Sequence, residues 1–130
     1  GRKQKLSSYV MNGAACFFPP LGNYSSYGFK TCKITQVWSP LCYIQWEGNP
    51  ANAYTYNDGA NYPNLSEGVG PMHDNKRGCN VLALAGNASM MKISEFKNLE
   101  MPANPFTGPR TLFHWNPMTA AGTGTGEILP

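Results

Sequence analysis

Few residues in this chain have both the type and the spacing to do chemistry. The only histidines are His73 and His114. They lack the i, i+4 spacing that places two ligands on one helix face, and no His-Glu-x-x-His run occurs. A general base also needs an orienting partner, and the carboxylates nearest His73 in sequence are Glu67 and Asp74. The bland role for His73 is a hydrogen bond that ties a loop to a sheet. His114 sits in Phe113-His114-Trp115, where packing is the expected role. No Gly-x-Ser-x-Gly elbow and no phosphate-binding glycine loop is present. Together these features point away from an enzyme.

Asp58, Glu67 and Asp74 offer oxygen ligands in one irregular stretch. With nearby carbonyls they could form a calcium site, although the spacing is not that of an EF-hand. Calcium is the single cofactor the residues suggest, and turn formation is the commoner use of such acids. Tyr54, Tyr56 and Tyr62 lie beside Asp58. Exposed aromatic faces of this kind stack on sugars or partner proteins, whereas buried ones pack. Packing or loop stapling is favoured.

Four cysteines occur, Cys16, Cys32, Cys42 and Cys79. The absence of Cys-x-x-Cys argues against structural zinc. Two disulfides in an oxidising compartment, with three possible connectivities, and buried free thiols both remain open.

These residues have to be held by a small scaffold. The chain has 130 residues, 42% of them apolar and only 13% charged, which fits one domain spanning 1–130. Its net charge of +3 is too small to imply nucleic acid. No run reaches the roughly 18 apolar residues of a membrane span. Gly1 in place of Met leads us to expect a processed or trimmed chain, from which a targeting or anchoring segment could have been removed. Fourteen Gly and eleven Pro predict frequent turns.

A short strand is expected over Ser7–Asn12, then a loop over 14–30. Ile34, Val37 and Trp38 mark one apolar face of a helical turn, stopped by Ser39-Pro40. Leu41–Glu47 alternates as a strand, with Cys42, Ile44 and Trp46 on one face and Leu41, Tyr43 and Gln45 on the other. Residues 48–70 form a long loop. Cys79–Leu84 and Ala88–Ile93 read as a hairpin around Ala85-Gly86-Asn87. Ser94 is placed to cap a helix over Glu95–Leu99. Residues 119–130 read as a loose tail. The expected class is α+β and β-rich: an antiparallel sheet with short helices and long ordered loops.

The run from His73 to Ala88 resembles the C-terminal signature of bacterial pilin-like proteins that carry a prepilin-type cleavage segment. That signature has a His, a Gly, Asn-Val, an apolar strand, and Asp-Gly-His-Val at the turn. His73, Gly78, Asn80, Val81 and Gly86 match it. Ala85 replaces the Asp and Asn87 replaces the His, so the most polar part of the signature is lost. Ser8-Tyr9-Val10-Met11-Asn12 is similar to the family's Ser-Tyr-x-Met-Asn strand. Leu112–Pro117 is similar to a Leu-Trp-x-Asn-Pro ending.

The resemblance implies a pilin or pseudopilin head in the periplasm or at the cell surface, with a hydrophobic helix upstream of Gly1. Only that helix would contact the membrane. The partners would be other pilin-like subunits or type II secretion proteins, and the work would be assembly without a chemical step. The alternative is an extracellular carbohydrate- or ligand-binding module that uses the tyrosines of the 48–70 loop.

Overall fold

A computed structural model of the chain describes residues 8–13, 15, 33–52, 55–56, 59–61, 63, 67–99, 110–115 and 122. The elements in order are β1 (Tyr9–Asn12), a 3-10 turn (Ile34–Gln36), β2 (Tyr43–Glu47), β3 (Ala60–Asn61), β4 (Gly78–Ala83), β5 (Ala88–Lys92) and α1 (Ile93–Leu99). The strands form one open sheet in the order β3-β1-β2-β4-β5. The fold is therefore α+β and β-rich. The sheet is mixed rather than wholly antiparallel, because the two-residue β3 runs parallel to β1.

Strand alternation separates two faces. Val10 lies opposite Trp46, and Trp46 opposite Val81. All three are buried, and they form the core with Cys79, Met91, Phe96 and Phe113. Tyr9, Met11 and Met90 project from the other face and are exposed.

The strict alternation expected for β2 does not hold. Tyr43 pairs with Ala83 but Gln45 pairs with Leu82, so Ile44 is the extra residue of a β-bulge. The bulge turns Tyr43 onto the Trp46 face, where its ring packs 4.7 Å from that of Phe113.

The β4–β5 hairpin forms as expected. The Ala83 N–H donates to the Asn87 carbonyl at 2.9 Å, and Gly86 turns the chain at φ +88°. Two local expectations are corrected. The helix begins at Ile93, so Ser94 lies inside its first turn and does not cap it. Ile34 is 69% exposed, so the 3-10 turn lacks the apolar face inferred from spacing. Three-residue periodicity over so short a run cannot tell a buried turn from a surface one.

Segment 110–115 closes the core. Thr111 Oγ accepts the N–H groups of Phe113 and His114, and its hydroxyl donates to the Leu99 carbonyl at 2.6 Å. This small turn inserts Phe113 edge-on against Trp46 and Phe96, at 5.3 and 5.0 Å, in the geometry aromatic pairs favour. Of the 119–130 segment, only Gly122 is among the described residues. It is buried, and a Cβ there would come within 2.6 Å of the Trp38 ring.

Candidate functional site

The side chains that converge most closely are Glu47, His73 and Asn80. Pairing of Trp46 with Val81 sets Glu47 opposite Asn80 at the end of β2. Glu47 is 6% exposed, and a buried carboxylate must be compensated. It accepts the Asn80 backbone N–H at 2.7 Å. It also receives His73 Nε2, which lies 2.9 Å from one carboxylate oxygen and 3.0 Å from the other.

Asn80 Nδ2 is 3.1 Å from the same ring nitrogen. A bare Nε2 lone pair would face the carboxylate lone pairs, so Nε2 carries the proton and donates to Glu47.

The segment leading to His73 bridges the end of β2 and the start of β4. The Gly70 N–H donates to the Glu47 carbonyl at 2.7 Å, and both Met72 N–H and His73 N–H donate to the Gly78 carbonyl at 2.8 Å. Residues 74–77 then reverse the chain. Asp74, Asn75 and Lys76 have φ of +48°, +55° and +66°, a left-handed run rare for side-chain-bearing residues. The Arg77 N–H closes it onto the His73 carbonyl at 3.0 Å.

Gly78 follows because a Cβ there would lie 2.4 Å from the Met91 carbonyl oxygen. His73, Gly78 and Asn80 thus meet at one corner. Gly86 and Asn87 occupy the far end of the hairpin and take no part.

The partner of His73 is therefore Glu47, not Asp74 or Glu67. Asp74 instead pairs with Arg77 at 3.1 Å. Glu47 was not legible as a site residue, since only strand register brings it to His73. Its one sequence signal is a carboxylate ending an otherwise apolar strand.

The geometry is that of a latch. His73 has a carboxylate to orient it, but among the described residues no hydroxyl or thiol bonds to its ring. The nearest thiol in sequence, Cys79, is fully buried in the core, and burial pushes its pKa up to about 12.

Tyr56 is partly buried and packs against the core. Its hydroxyl donates to the carbonyl of Gly48 at 3.2 Å, with that of Ser8 at 3.4 Å. It acts as a staple between loop and sheet. Tyr54, Asp58 and Tyr62 lie outside the described residues. No group of three or more His, Cys, Asp or Glu able to hold a metal ion occurs among the described residues.

Cys42 and Cys79 are buried free thiols, so the two-disulfide reading does not hold. Cys16 and Cys32 lie outside the described residues. His114 is buried, as packing required, and loss of solvation lowers its pKa to about 4. No helix among the described residues is long and apolar enough to cross a membrane.

No family model, curated protein or solved structure matches the chain.

Proposed function

We propose that this chain is the extracytoplasmic head of a pilin-like subunit, working by non-covalent assembly into a pilus-like or type II secretion apparatus. One observation carries the reading. Three of the five residues shared with the pilin-like signature, His73, Gly78 and Asn80, have a structural task at one corner of the sheet. His73 and Asn80 enclose the Glu47 carboxylate, and Gly78 allows β4 to approach β5.

Asn12, from the similar N-terminal strand motif, is likewise fully buried. Its amide donates to the Tyr43 and Phe113 carbonyls at 2.7 Å each. Polar residues used this way define a scaffold. A head of this kind would display its loops while an upstream helix held it in the membrane or filament core.

The test is expression of the full reading frame, including the residues encoded before Gly1, with and without a prepilin peptidase. The expected product is shortened by the peptidase and sediments with membranes or sheared filaments. A full-length protein that stays soluble and uncut in its presence overturns the reading.

A further inference from the structure

We propose that the cleft between the left-handed turn and the start of α1 docks an acidic, partly apolar peptide segment of a partner protein. The cleft is open to solvent and has a volume of about 630 Å³, within the range of ligand sites. Lys76 and Arg77 line it from the turn, Lys92 and Ile93 from the β5–α1 junction, with Pro71 between these segments in the lining. The turn and the junction are fastened together. Gly78 pairs with Lys92 in the β-ladder, and the Ile93 N–H donates to the Arg77 carbonyl at 2.8 Å. The shape is thus preformed, which lowers the cost of binding.

Charge and strain point to the same occupant. Of the charged residues lining the cleft, Arg77 and Asp74 neutralise one another. Lys76 and Lys92 are exposed and have no anionic partner among the described residues. Lys76 also sits at φ +66°, where Gly would be easier and where Lys has no short polar side chain to bond locally. Strained non-glycine residues persist where the surroundings over-determine them, and they concentrate at ligand clamps.

Two ammonium groups beside the partly exposed Pro71 and Ile93 match a chain that alternates carboxylates with apolar side chains. An isolated inorganic anion would leave those apolar side chains wet. Two unpaired cations are also too few for a nucleic-acid backbone, whose binding grows with the number of phosphates neutralised. The site stands whether or not the chain assembles into a filament.

The probe is a fluorescein-labelled hexapeptide of alternating glutamate and leucine, titrated at low ionic strength by fluorescence polarisation and amide NMR. Saturable binding is expected, with shifts centred on Lys76, Arg77 and Ile93. Replacing the peptide's glutamates by glutamine, or its leucines by serine, weakens it.

Lys76→Glu and Lys92→Glu each weaken binding by roughly tenfold, as loss and reversal of one charge-assisted contact would. Lys76→Gln and Lys92→Gln serve if the glutamate variants fail to fold. Lys76→Gly separates function from structure, since it raises the melting temperature while lowering affinity. Absence of saturable binding, or affinity unchanged in the lysine variants, overturns the proposal. So does inorganic phosphate that reproduces the amide shifts and displaces the peptide, which would make this a small-anion site.

Discussion

Glu47 and His73 form one contact but carry different burdens. The Glu47 side chain is 8% exposed and that of His73 47%. Glu47→Ala leaves the Asn80 N–H without its acceptor inside the sheet, and should cost about 2–4 kcal/mol. His73→Ala removes a half-solvated partner while Glu47 keeps the Asn80 N–H, and should cost about 1 kcal/mol. Urea unfolding of both variants checks the order.

His114 supplies a pH dependence of definite sign. Its folded pKa of about 4 lies below the ordinary 6.5, so the unfolded chain binds the extra proton between these values. Its contribution is fully present above pH 6.5, declines as pH falls, and has lost about 3 kcal/mol by pH 4. Comparing stability-against-pH profiles of the wild type and His114→Phe isolates this slope, which should vanish in the variant. The role of His114 was legible from its aromatic neighbours. That of Glu47 was not, because strand register, rather than local sequence, sets its partner.

The β4–β5 hairpin shows how one residue type serves two ends of an element differently. At Gly86 the constraint is conformational, since φ is +88° and no atom lies within 4 Å of an added Cβ. Gly86→Ala should cost about 1 kcal/mol. At Gly78 the constraint is contact with the Met91 carbonyl, and Gly78→Ala should cost about 3 kcal/mol, because backbone cannot yield as a side chain does. Thermal melts of the two variants test the contrast. The hairpin was readable from its apolar runs and its turn residues. The helix starts at Ile93, two residues before the expected Glu95, and the Ile93 N–H bonds to the Arg77 carbonyl of the neighbouring segment. That contact joins segments adjacent in the fold but well separated in sequence, which local propensity does not register.

At the scale of the whole molecule, Asn12 joins three parts of the chain. From β1 it reaches the start of β2 and the C-terminal segment at once. Asn12→Ala should cost about 2–4 kcal/mol, by leaving two carbonyls without a donor. Hydrogen exchange should show the damage first at residues 110–115, with protection in β4 largely retained. Loss of protection only in β1 would contradict that role.

The amino-acid sequence by itself determined the class of fold, the central hairpin and the burial of His114, because these follow from local periodicity, turn chemistry and apolar neighbours. It also placed His73, Gly78 and Asn80 together as a motif. Only the tertiary structure decided what the motif does. Glu47 comes to His73 through pairing between β2 and β4, the bulge at Ile44 turns Tyr43 into the core, and the left-handed turn sets Lys76 beside the cleft. The first two depend on contacts between residues far apart in sequence, and alternation and propensity carry no information about such contacts.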